Sequence, residues 1–154
     1  MKMKPRRAWL AAVIVVACRG DGGPLSSSEA RELNAAESLW RARAPSHYTI
    51  EMRRLCFCGG DVTEWATVEV SNETVVAQTL LSGAAVPPSL WNSRPAVSRL
   101  FTEIRETHGS WLKDIQVAYD PATGYPTRVS YIEQNYIADA GSVFEARNLV
   151  ARFE

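Results

Sequence analysis

Three cysteines are the residues best equipped for chemistry in this chain of 154, and two of them stand one residue apart, in "RRLCFCGGD". Cys56 and Cys58 admit three uses: a disulfide, a redox centre or a metal clamp. Two thiolates suffice for Cu(I), with His47 or His108 as a further ligand, whereas a closed zinc site needs about four ligands. For redox work, Arg53 and Arg54 stand close enough in sequence to stabilise a thiolate. The usual Cys-x-x-Cys at the start of a helix is missing, however. A disulfide requires an oxidising compartment. Other reactive patterns are not found in the sequence: there is no G-x-S-x-G, no H-E-x-x-H, no phosphate-binding glycine loop and no EF-hand. Asp120 and Asp139 are the carboxylates that invite pairing, yet a turn accounts for the first and the loop "ADAG" for the second. Five tryptophans and five tyrosines are available for a ligand groove, but most fall at amphipathic positions that core packing explains. Neither a cofactor nor a metal is implied.

The compartment is written at the N-terminus. "MKMKPRR" is a cationic opening, and "AWLAAVIVV" is an apolar run too short to span a bilayer, which takes about 20 helical residues. It ends in "VVAC", which resembles the lipobox of bacterial lipoprotein precursors: apolar at −3, small at −1, then the acylated cysteine. An ordinary secretory signal cut nearby is the alternative. The lipobox implies residues 1–17 as a signal peptide and Cys18 as the mature N-terminus, carrying a diacylglycerol thioether and an amide-linked acyl chain such as palmitate. Several acyl chains anchor a protein stably where one does not. Residues 18–28, with "RGDGGPLSSS", then form a flexible tether reaching about 15–20 Å, and residues 29–154 form one domain. By analogy with enterobacterial sorting, Arg19 rather than Asp after the lipid cysteine favours the outer membrane. The membrane is thus the expected partner, reached through Cys18, with the domain facing the periplasm or the outside.

Charge supports that reading. The whole chain is neutral, with 17 basic and 17 acidic residues. Lys2, Lys4, Arg6 and Arg7 all precede the first acid, so loss of the leader leaves 13 basic against 17 acidic residues, a net charge of −4. A mildly acidic body excludes nucleic acid as a natural partner, since that needs a basic face. With 46% hydrophobic and 22% charged residues, the chain has the composition of a globular protein.

Two helices and six strands must position these residues. "SSSEARELNAAESLWRARAP" offers serine caps, early glutamates, and Leu33, Ala36 and Trp40 at helical spacing until Pro45 stops it. In "SRPAVSRLFTEIRETHG", Ser93 is the expected cap, Pro95 lies in the first turn and Gly109 stands just past the end. Val97, Leu100, Phe101 and Ile104 make its apolar stripe. "HYTIEMRRLCFC", "EWATVEV" and "VVAQTLL" read as strands, the last two joined by "SNET". "WLKDIQVAYD" puts Trp111, Ile115, Val117 and Tyr119 on one face. "DPATGYP" is a hairpin turn with Pro121 at its second position and Gly124 left-handed, and "TRVSYIEQ" follows as a strand. "SVFEARNLVARF" suits a helix or a strand and is read as a strand. The expectation is an α+β fold, order α-βββ-α-βββ, with two helices on one face of an antiparallel sheet of about six strands.

On these pieces a resemblance can be stated. "RRLCFC" ending a tyrosine-bearing strand, the "VEVSNETVVA" hairpin and "VAYDPATGYPTRVSYI" resemble a family of bacterial envelope domains catalogued only as a domain of unknown function, often found behind a lipobox. The likeness runs from about His47 to Phe153, and Gly59-Gly60 stands where such domains often carry proline. It implies location and architecture, and no activity.

Export places Cys56 and Cys58 in an oxidising space, and lipidation of Cys18 leaves them only each other. Two residues along a strand span about 6.6 Å, close to the upper limit of about 6.8 Å for bridged Cα atoms, so a disulfide requires the chain to bend there. Gly59-Gly60 stands next to permit it. A structural disulfide is therefore expected, with thiol–disulfide exchange as the alternative. The function class is a membrane-tethered, non-enzymatic binding or scaffolding module.

Overall fold

The computed structural model describes residues 25–107, 112–133 and 141–152. The first helix, α1, spans Ser27–Arg43. Ser26 caps it through a reciprocal box: its hydroxyl accepts from the Glu29 N–H, and the Glu29 carboxylate accepts from the Ser26 N–H. Leu33, Ala36 and Trp40 are buried along one face, as their spacing predicts. Then come β1 (His47–Leu55), a single helical turn α2 (Gly60–Thr63), β2 (Ala66–Ser71) and β3 (Thr74–Leu80). A 3₁₀ helix at Pro88–Ser93 leads into α3 (Val97–Glu106), followed by β4 (Leu112–Tyr119), β5 (Pro126–Glu133) and β6 (Gly141–Ala151).

The six strands form one antiparallel sheet in the order β3-β2-β1-β6-β5-β4. Two three-stranded meanders thus join along β1 and β6, and the α+β order α-βββ-α-βββ is the one read from sequence. Tyr48, Ile50, Met52, Val68, Val70, Ile115, Val129, Phe144 and Ala146 face one side, where they meet Trp40 of α1 and the Val97, Leu100, Phe101, Ile104 stripe of α3. The opposite side of the sheet carries Glu51, Arg53, Arg128, Glu145 and Arg147, linked in ion pairs across β1, β6 and β5.

Several expectations are corrected. Ser93 does not cap α3. It closes the preceding 3₁₀ helix, its hydroxyl donating to the Leu90 carbonyl at 2.6 Å. Pro95 stands before the first turn, and Ala96 is the N-cap without a side-chain cap bond. The open Val97 N–H donates instead to the Tyr48 hydroxyl at 3.1 Å, so a β1 residue does the capping. In β4 the expected inward face holds for Ile115, with Val117 and Tyr119 packed against the core. A register shift between Leu112 and Asp114 turns Leu112 inward as well. Trp111, His108, Gly109 and Asp139 lie outside the described residues.

In β6 the strand reading holds, with a break in alternation. Asn148 takes a left-handed φ of 55° opposite the shift between Thr49 and Glu51. Phe144 and Ala146 face the core before it, while beyond it Leu149 packs inward and Val150 turns out. The Asn72-Glu73 turn between β2 and β3 is left-handed at both residues, φ 46° and 63°, as a tight two-residue hairpin requires.

Candidate functional site at the end of the first strand

β1 ends at Leu55, and Cys56, Phe57 and Cys58 form a bend beyond it. The bend draws the Cα atoms of Cys56 and Cys58 to 5.2 Å, with their sulfurs in contact. That separation is shorter than an extended strand gives and falls inside the range a bridge accepts. The glycines are not what permits it. Gly59 has an ordinary φ of −57° and caps α2, Gly60 shows no left-handed φ, and a Cβ at either would meet nothing within 4 Å. Phe57, held between the cysteines, is 88% exposed.

The two arginines before the clasp leave on opposite faces of the sheet. Arg53 pairs with Glu145 at 2.6 Å and lies over the Trp65 ring, which Arg147 also covers at 3.9 Å. Arg54 turns toward the helices, pairing with Glu103 at 2.8 Å and donating to the Ser93 carbonyl. Both guanidiniums are committed to carboxylates, so the expected electrostatic support for a Cys56 or Cys58 thiolate is spent elsewhere. His47 starts β1 and the clasp follows its end, a separation of roughly 25–30 Å at about 3.3 Å per residue. It does not join the cysteines. Among the described residues no group of three His, Cys, Asp or Glu is placed to hold a metal ion.

Behind the clasp lies a residue that periodicity does not reveal. Arg94 is fully buried, and its Nη2 donates to the Asp61 and Glu64 carbonyls at the two ends of the α2 turn. Gln78, also buried, donates through its amide nitrogen to the Trp91 and Arg94 carbonyls at 3.1 and 2.8 Å. Burial lowers the Arg94 pKa, opposed by Asp61 and Glu64. Arg94 thereby ties α2 and the segment after Cys58 to β3 and the 3₁₀ helix. The available sequence signal is Gln78 itself, a polar residue at an inward position of an apolar strand, since a buried amide needs partners.

Asp120 stays in its turn. Its Oδ1 accepts from the Thr123 hydroxyl and N–H, both at 2.7 Å, and from the Ala122 N–H. Those donors, the Thr123 hydroxyl foremost, hold its carboxyl below the usual 3.8.

Residues 32–151 match a family of unknown function, DUF6174. The chain belongs to that family. The DUF6174 match begins inside α1, ends with β6, and includes the Cys56–Cys58 clasp and Arg94. No curated protein and no solved structure matches the chain. Cys18 lies before the DUF6174 match and outside the described residues.

Proposed function

We propose that this protein is a lipid-anchored lipoprotein of the bacterial cell envelope, a non-enzymatic binding or scaffolding module held at the membrane through Cys18. The observation that carries the reading is the run from Met1 to Cys18: four basic residues, a nine-residue apolar stretch and "VVAC". Ser26, the N-cap of α1, follows soon after in sequence. Arg19 favours the outer membrane. Labelling cells with radioactive palmitate tests the anchor: label follows the protein, and Cys18→Ala abolishes it and leaves precursor or soluble periplasmic protein. Equal labelling of Cys18→Ala contradicts the reading.

In an envelope, Cys56 and Cys58 are a structural disulfide that fixes the tip beyond β1. Compartment supports this, as does a Cα separation of 5.2 Å. On a binding module that tip is the first surface to probe, because it presents the Phe57 ring to solvent. The loop is tiny, so the bridge contributes less than the ~3 kcal/mol of a 15-residue loop. Cys56→Ser with Cys58→Ser therefore folds with a modest loss of stability. An exchange protein would instead equilibrate with glutathione well above about −300 mV and would turn over a model disulfide. Either result in a glutathione titration overturns the structural role.

A further inference from the structure

Gly59 and Gly60 serve neither a turn nor close packing among the described residues. Neither takes a left-handed φ, and a Cβ at either would stand in open space. Glycine still costs backbone entropy, roughly 0.5–1 kcal/mol relative to alanine in regular structure, and Gly60 opens the α2 turn. The close approach of something from outside the chain is a remaining reason for it. With Val62 and Leu90, the two glycines line a cavity of about 300 Å³ that Asp61 borders. That is the low end of the range for a small ligand, and it accepts one side chain of aromatic size.

A side chain of that size stands beside the hole without entering it. Phe57, two residues before Gly59, is 88% exposed and is held between the paired cysteines, so little further ordering is needed to present its ring. The positive edge of an aromatic ring also tolerates the Asp61 carboxylate at the rim. More apolar surface lies at the same end of the sheet, where Met52 pairs with Ala66 and Ala66 with Leu80. Leu81 is 53% exposed there, its N–H donating to the Trp65 carbonyl, and Leu90 and Trp91 pack half-buried on Ala66, Leu80 and Val86. A lipid surface suits this end poorly. Arg53 and Arg54 are paired with Glu145 and Glu103, while Asp61 and Glu64 are exposed and would repel anionic headgroups. A knob beside a hole on one surface is self-complementary: a two-fold axis seats each ring in the other copy's hole and fills both at once.

We propose that this tip is a self-association surface, on which a second copy of the chain docks about a two-fold axis with the Phe57 of each copy in the glycine-lined hole of the other. The inference rests on the reading of the protein as a binding module and is independent of the anchor, which palmitate labelling tests separately. Sedimentation of the full chain in density-matched detergent, over a range of concentrations, should show a reversible monomer–dimer equilibrium. Phe57→Ser removes the knob and Gly60→Leu plugs the hole, both at exposed positions. Each should weaken the dimer by about tenfold or more, the scale of an interface hot spot. An equal mixture of the two variants restores one knob-and-hole pair and should dimerise more tightly than either alone. Val150→Ser, an exposed apolar residue at the opposite end of β1, should leave the native equilibrium unchanged. A native chain that stays monomeric, a Phe57→Ser chain that dimerises like the native one, or a mixture no tighter than its components overturns the proposal. So does a photoreactive benzoylphenylalanine at position 57 that marks lipid or an unrelated protein instead of a second copy.

Discussion

Gly124 illustrates how a single residue can be fixed from both sides. Its φ is +86°, and a Cβ there would run into the Ala36 carbonyl oxygen and stand 3.0 Å from the Trp40 nitrogen, so the hairpin rests directly on α1. The left-handed need was legible in "DPATGYP", while the close approach to a helix some 80 residues earlier was not. Asp120 in the same turn gives a pH prediction. Its folded pKa is depressed, so its contribution is complete above the unfolded value and is lost as pH falls through the folded one. Asp120→Asn keeps an acceptor oxygen and removes the titration. The melting-temperature advantage of the native protein over this variant should shrink below about pH 4, and a gap that stays constant down to strong acid contradicts the assignment. Arg94 is the opposite case in legibility, because apart from the Gln78 side chain its partners are carbonyls from distant segments. Arg94→Met should remove both bonds to the Asp61 and Glu64 carbonyls, at about 1.5–3 kcal/mol for hydrogen bonds from a charged group. Hydrogen exchange after the clasp, at residues 60–64, should rise with it. Unchanged exchange there would show that α2 stands without Arg94.

At the scale of elements, periodicity was the reliable signal where burial is one-sided. The stripe Val97, Leu100, Phe101, Ile104 is buried as its spacing demands, and so are the alternating residues of β1 and β2. Leu100→Ala should cost about 2–5 kcal/mol by opening a cavity under the sheet. A chemical denaturation curve checks it, and a loss under about 1 kcal/mol would mean that the site collapses freely. What failed to show were the places where the period breaks. The bulge at Asn148 reverses the faces of β6, which is why "SVFEARNLVARF" reads equally as helix or strand. The start of α3 was misplaced because Ser93 is a good local cap in a segment that tertiary structure assigns to the 3₁₀ helix, with Tyr48 supplying the cap from β1. The bend at Cys56–Cys58 was expected from reach alone. Gly59 and Gly60 are not its cause, since neither takes a left-handed φ and a Cβ at either meets nothing within 4 Å.

For the whole molecule, the sheet order β3-β2-β1-β6-β5-β4 puts the two chain-terminal strands, β1 and β6, at the centre. Hairpin signals foretold the neighbours within each meander. The β1–β6 joint is nonlocal and has no turn to announce it. β1 leaves its central position at the Cys56–Phe57–Cys58 tip, while α1 begins at the segment leading from Cys18. The proposed tether lies in that leading segment, and its bond to the membrane lipid is covalent. Mass spectrometry of the N-terminus of the protein isolated from membranes is the most direct test. The account predicts Cys18 as the first residue, carrying a thioether diacylglycerol and an amide-linked acyl chain. An unmodified N-terminus at any other residue would contradict it.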